Sequence, residues 1–234
     1  MADNILPGQL PLAVHLRPDA RLGDLYVEPN EECLQWLTSV WARSEEQFCW
    51  LDAGAGAGLS HVLQAVAHQS EQQGQAVFYV SFAANAQLRP ELLSELPVFD
   101  VLCLDDVDAV IGQPDWDLAL MHCFNEMRAQ QKQLLMGSHL GLTVLRNSIL
   151  PDLGSRLSWG MVMHWQRPQQ WALAVEHAAR ARGLVFDTAT SAYVALRTPR
   201  DWPQLMSTLS LIDQAALVAK RRITIPFIRQ VMRW

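Results

Sequence analysis

The apolar positions of this chain change period along its length, and those changes divide it. Over residues 31–43, Cys33, Trp36, Leu37, Val40 and Trp41 recur at helical spacing behind Asn30, which predicts an amphipathic helix capped by Asn30. Short apolar runs then alternate with helical patterns. Residues 47–51, 75–82, 98–104, 133–138 and 160–165 read as strands, and 59–73, 90–96 and 115–131 as helices. Gly74 closes the first of these helices as a C′ glycine, and Pro114-Asp115 opens the last. Nearly continuous apolar strands separated by helices predict an α/β fold, a parallel sheet covered on both faces. Ligands of such sheets sit at the carboxyl ends of the strands. After Arg167-Pro168 only helical patterns remain: 169–182 ending at Gly183, 188–196, 201–221, and 225–233 behind Thr224. Ahead of the first helix, Pro7, Pro11, Pro18 and Pro29 punctuate a stretch without sustained period, which reads as extended. The predicted organisation is a tail over 1–22, an α/β base over 23–166 and a small all-helical domain over 167–234.

Half of the 234 residues are hydrophobic, enough for a full core. Only 18% are charged and the net charge is −6, which argues against a broadly electropositive nucleic-acid binder. The sequence has no positively charged leader with an apolar core, and no apolar run nears the ~20 residues of a membrane span. A cytoplasmic protein without membrane contact is expected. Cys33, Cys49, Cys103 and Cys123 are scattered, three of them in apolar runs, and predict buried reduced thiols rather than disulfides or zinc ligands. Nine tryptophans exceed what the core is expected to absorb, so some should line a partner surface.

Three segments carry candidate chemistry. Asp52-Ala-Gly-Ala-Gly-Ala-Gly-Leu-Ser-His61 joins an apolar strand to a helix start, the setting in which backbone N–H groups and the helix dipole cradle phosphate. Against G-x-x-x-x-G-K-[ST], residues 53–60 keep Gly58 and Ser60, but Ala53 replaces the first glycine and Leu59 the lysine. A ligand-free Gly/Ala turn is the alternative. Val101-Leu-Cys-Leu-Asp-Asp106 is an apolar strand ending in two carboxylates, the form in which P-loop ATPases direct an Asp to Mg²⁺, or else an ordinary turn cap. Leu153-Gly-Ser-Arg-Leu-Ser-Trp-Gly160 places Arg156 on a short turn before the last strand, as a surface arginine or as one with a function.

Together these segments resemble the AAA+ ATPases, and among them the DnaA/Hda family, over nearly the whole chain. Residues 54–65 resemble the family's degenerate loop, Leu104-Asp105-Asp106 its Walker B strand, residues 150–160 its arginine-finger segment and residues 219–233 its C-terminal helix region. The resemblance implies an AAA+ P-loop-type base with a helical lid. It also implies nucleotide contacts at Gly54, Gly56, Gly58, Leu59, Ser60 and His61, acidic residues Asp105 and Asp106, and Arg156 as a finger given in trans. Ser60 and Asp105 would meet Mg²⁺ if it is present. Gln9, Leu10 and Leu12 resemble the family's peptide for the β sliding clamp of DNA polymerase III. The implied function is negative regulation of replication initiation, with DnaA and the clamp as partners, DNA met indirectly through the clamp, and a homodimer possible. The cofactor would be ADP or another nucleoside diphosphate, with or without Mg²⁺, or none. The departures are Leu59 for the loop lysine, Gly137, Ser138 and His139 in the sensor-1 region, and Pro203 where the lid offers the sensor-2 arginine, with Arg200 just before it. Rival readings are an autonomous nucleotide-binding ATPase, and a DNA-binding or loading factor resting on Lys220-Arg221-Arg222.

Overall fold

The computed structural model describes residue 16 and residues 20–43 and 45–234; Gln9, Leu10 and Leu12 lie outside the described residues. Helix α1 (Glu31–Ser39) precedes β1 (Phe48–Ala53), and α2 (Leu59–Gln72), β2 (Val77–Ser81), α3 (Leu92–Glu95), β3 (Val101–Asp105), α4 (Pro114–Ala129) and β4 (Gln133–Ser138) follow in alternation. Helices α5 (Leu142–Leu145) and α6 (Pro151–Leu157) then lead to β5 (Met161–Trp165). The remaining helices are α7 (Trp171–Ala181), α8 (Thr188–Arg197), α9 (Trp202–Ala219) and α10 (Ile225–Met232).

The five strands form one parallel sheet in the order β2-β3-β4-β1-β5, as the strand pattern predicts. Successive side chains of a strand point to opposite faces, and the sheet accordingly has two cores. Phe48, Trp50, Phe78, Val80, Leu102, Leu104, Leu134 and Met136 pack with α3, α4 and α6 residues on one face. Cys49, Leu51, Tyr79, Val101, Cys103 and Leu135 pack with α1 and α2 residues on the other. A third core, from Trp171 to Ile228, belongs to the helical region. Strands β2 and β5 are the edges, and on β5 Met161 is 39% and Val162 45% exposed. All four cysteines are buried free thiols, as expected, and burial raises each thiol's pKa.

Several local expectations are corrected. Asn30 makes no side-chain cap. Its amide donates to the Gln166 carbonyl at 2.9 Å and accepts from the Gln166 N–H at 2.7 Å. Asn30 is buried, so both ends of the amide need partners; a peptide unit offers a donor and an acceptor, whereas a helix N-terminus offers donors alone. Residues 98–100 are not strand: Pro97 sits in a 3-10 turn that ends at Val98, which is 72% exposed. Arg156 lies in the last turn of α6 rather than on a turn, because Pro151 at the first position and Asp152 beside it start a helix there. Pro203 falls in the first turn of α9, where the missing N–H costs nothing. Six of the nine tryptophans are core residues, and Trp159, at 52%, is the large exposed one.

Candidate functional site

Because all five strands run parallel, their carboxyl ends share one edge, and the Gly-rich loop, the acidic strand end and His139 meet there. Gly54, Gly56, Gly58, Leu59, Ser60 and His61 span the turn from β1 into α2. Gly56 (φ 75°) and Gly58 (φ 96°) hold backbone conformations that side chains resist, and the first-turn N–H groups of a helix have no intrahelical acceptor. The turn therefore has an anion-accepting shape. Its contents differ from that shape. Leu59 is 2% exposed and points into the core, so this position serves packing worth about 1.5–3 kcal/mol. His61 is also buried, edge-on to Trp202 with centroids 6.0 Å apart.

The helical region closes on the loop. The Trp202 N–H donates to the Gly56 carbonyl at 2.8 Å, the Arg167 guanidinium donates to the Ala55 carbonyl, and the Trp165 indole donates to the Ala57 carbonyl at 3.2 Å. Asp201 caps α9 by accepting from the Gln204 N–H at 2.9 Å, and its other oxygen lies so near Gly56 that a Cβ there would collide with it. A Cβ on Gly58 would come within 2.9 Å of the Trp202 ring. Arg200, the candidate sensor-2 substitute, is exposed. The space left between loop and lid is about 120 Å³, against the ~300 Å³ or more of small-molecule sites. With the lid in this position the residues do not fit a nucleoside diphosphate: a carboxylate and an indole face the turn where phosphates would lie.

Asp105 is completely buried and accepts hydrogen bonds from the Tyr79 hydroxyl at 2.7 Å, from the Ser60 hydroxyl and from the Asp106 N–H at 3.0 Å. Burial, and then the charge of Asp106, push its carboxyl up to about 6 against the pull of the Ser60 and Tyr79 bonds. Asp106 accepts from Ser81 at 2.5 Å and meets His139 Nε2 at 3.3 Å. His139 Nδ1 lies 3.1 Å from the Ala53 carbonyl, which can only accept, so Nδ1 carries hydrogen and the Asp106 contact is an ion pair only when the ring is doubly protonated. The His139 N–H donates to Asp108 at 2.8 Å, Ser138 bonds locally to Leu140, and Gly137 is wedged between Leu63 and Asp105. The sensor-1 region is thus tied inward. Among the described residues no group of three His, Cys, Asp or Glu side chains is placed to hold a metal.

Arg156 is elsewhere. Trp159 lies two residues ahead of β5, and Arg128, in the last turn of α4, five residues ahead of β4, so this corner lies toward the amino-terminal edge of the sheet. Five strand residues, roughly 16 Å, separate it from the loop. The Arg156 Nε donates to the Asn125 side chain at 2.9 Å and one terminal nitrogen donates to the Asp152 carbonyl at 3.0 Å, with the Asp152 carboxylate 3.9 Å away. The guanidinium also stands 5.9 Å from the Trp159 ring centroid. The structure therefore brings together the loop residues, Asp105 and Asp106, and keeps Arg156 apart from them. Asp201, Trp202, Arg167, Tyr79 and Asn125 were not legible as site residues, since each reaches its partner across distant sequence. Only Asp201, a cap residue ahead of Pro203, carried a local signal.

A parallel sheet in this strand order, a Gly-rich turn after its first strand and a helical lid closing over that turn define an AAA+ module. A family model described as the bacterial DnaA ATPase domain matches residues 35–164, and one described as the lid domain of Hda matches residues 169–232. The chain belongs to the DnaA/Hda family of AAA+ proteins. An uncharacterized protein of Haemophilus influenzae is 30% identical over 226 residues, covering 96% of this chain and 98% of that one. Among solved structures, domain III of the Thermotoga maritima replication initiation protein DnaA superposes with a TM-score of 0.75 at 18% identity, over 94% of this chain and 98% of that chain. AMPPCP-bound DnaA from Aquifex aeolicus gives 0.70 at 21%, over 85% and 66%, and the Thermotoga maritima RuvB branch-migration motor 0.61 at 13%, over 93% and 72%.

Proposed function

We propose that this DnaA-family protein is a negative regulator of replication initiation that presents Arg156 to ATP held by a partner DnaA and stimulates its hydrolysis. The observation that carries the reading is the position of Arg156: it is fixed at the sheet edge opposite the chain's own loop, and so is directed at a neighbour. An arginine finger supplied in trans stabilises charge developing on the transferred phosphoryl group, and the planar guanidinium stays charged at any physiological pH. The chain's own loop lacks the lysine and is covered by Asp201 and Trp202, so the protein binds a nucleoside diphosphate weakly at best and hydrolyses no ATP alone. The DnaA of Aquifex aeolicus that holds AMPPCP is the model for the partner's occupied site rather than for this chain's. Gln9, Leu10 and Leu12 supply the peptide for the β sliding clamp, through which DNA is met.

The test is ATP hydrolysis by DnaA in the presence of clamp and DNA. Arg156→Ala should lose stimulation while keeping its melting temperature and its clamp binding, and Arg156→Lys should recover only part. Gln9→Ala combined with Leu10→Ala should lose clamp binding with the melting temperature unchanged. Stimulation by Arg156→Ala equal to wild type would refute the reading.

A further inference from the structure

Arg156 is not alone on Trp159. Arg128, from the last turn of α4, places its guanidinium carbon 4.4 Å from the same ring centroid, closer than Arg156 at 5.9 Å. The indole is half exposed and is fixed underneath by an edge contact to Phe124, whose centroid is 6.1 Å away and which is itself stacked on Phe48 in the core. Two cations 28 residues apart in sequence are thus gathered on one rigid aromatic platform. Their environments differ. Arg156 already has Asn125 and Asp152 as partners, whereas the exposed Arg128 side chain makes no hydrogen bond or ion pair among the described residues. A third guanidinium, Arg146, reaches the adjoining Ser158 hydroxyl at 2.6 Å. Among the described residues the only carboxylate in contact with this group is Asp152, 80% exposed at its rim.

A cation–π contact holds an arginine in place while leaving its in-plane N–H groups available, and two neighbouring guanidiniums without a carboxylate between them raise the local potential for an anion. The chain is acidic as a whole, at −6, so this concentration of arginine is local. Val162, 45% exposed and in register with Trp50, adds apolar area on the sheet face that carries Phe48 and Phe124. We propose that Arg128 is a second phosphate-binding residue, which with Arg156 on the Trp159 platform grips the polyphosphate of the ATP held by the partner subunit. This rests on the trans-finger reading of Arg156 and adds to it: Arg156 acts at the transferred phosphoryl group, and Arg128 contacts a further phosphate of the same nucleotide.

The experiment is single-turnover hydrolysis of ATP pre-bound to DnaA, with clamp and DNA present, titrated to saturation with the full chain as wild type, Arg128→Ala, Arg128→Lys and Arg156→Ala. Melting temperatures are measured alongside. Arg128→Ala should lower the saturating rate about tenfold or more, the effect of removing one charge-assisted hydrogen bond. Arg128→Lys should fall between, and the melting temperature should hold because the side chain is exposed. Arg128→Ala at the wild-type rate beside an inactive Arg156→Ala overturns the second-cation proposal and leaves the finger standing. Arg156→Ala at the wild-type rate overturns both. A rate loss in Arg128→Ala matched by a fall in melting temperature assigns Arg128 to the fold and overturns the proposal as well.

Discussion

The two ends of the sheet treat charge in opposite ways. At the carboxyl-terminal edge, Asp52, Asp105, Asp106, Asp108 and the lid's Asp201 gather around the Gly-rich loop, tied by His139, His164, Ser81 and Tyr79 to one another or to backbone. At the amino-terminal edge, Arg128, Arg146 and Arg156 surround an exposed tryptophan, and Arg128 faces solvent. In an ATPase acting on its own nucleotide, the loop edge would carry the cation. Here the loop edge gathers five carboxylates, the Arg167 guanidinium beside them is held on the Ala55 carbonyl, and Arg128, Arg146 and Arg156 lie at the far edge. A fold can therefore keep the shape of a nucleotide site while its own lid packs over the turn.

The largest effect that would break this contrast is at the arginine edge. Removing Arg156 should reduce partner hydrolysis by about 10³, the lower bound of what an arginine finger contributes, with unchanged unfolding of the chain itself. At the loop edge, the glycines should matter according to what the lid touches rather than according to their place in a phosphate-loop motif. Gly58→Ala combines a positive-φ position with a collision against Trp202 and should cost about 2 kcal/mol or more. Gly54→Ala, where a Cβ meets nothing within 4 Å, should stay within about 1 kcal/mol. Urea midpoints of the two variants decide it; equal losses would mean that the lid does not seat on the turn.

A smaller effect sits in Asp105. Its folded pKa of about 6 lies above the unfolded value near 3.8, so the folded chain holds the proton more tightly. The resulting stabilisation is fully present below about pH 4 and is lost as pH rises through about 6. The difference between pH 4 and pH 7 is on the order of 3 kcal/mol at most. Asp105→Asn removes the ionisation and should gain on wild type by up to that amount over the same interval in paired urea titrations. A constant difference between the two would show that a cation already neutralises the strand end. The smallest expected change is Asp201→Asn, which keeps the α9 cap but removes the carboxylate facing Gly56. Calorimetric titration with ADP should detect a few-fold tighter binding than wild type, with the melting temperature nearly unmoved.

The strands and their order of succession were legible because each apolar run stops at a residue with a local meaning: Gly74 and Gly183 at positive φ after helices, the Asp105-Asp106 pair after β3. The short helices α5 and α6 were not read, although Pro151-Asp152 is a helix-start signal, because four to seven residues are too few to display a period. The loop's shape and its missing lysine were visible in residues 53–60. What covers the loop was not, because Asp201 and Trp202 arrive from about 145 residues away and nothing local marks a cap residue as facing a distant turn. A shorter separation, 28 residues, likewise hid Arg128 from Arg156. The excess of tryptophan suggested exposed rings, and Trp159 is one, while most of the others turned inward to build the lid and the sheet faces.

The sheet order has a consequence in time. Strand β1 lies between β4 and β5, so it gains its first strand partner only when the chain has been made as far as residue 133. At the usual 5–20 residues per second of synthesis, the apolar Phe48–Ala53 segment waits roughly 4–16 s with neither edge paired. Parallel pairings that close such long loops form slowly in any case. An interior strand, buried along almost all its length in the finished molecule, is therefore the strand that waits longest for a partner during birth, and a nascent chain halted before β4 is the form most prone to aggregate or to engage a chaperone.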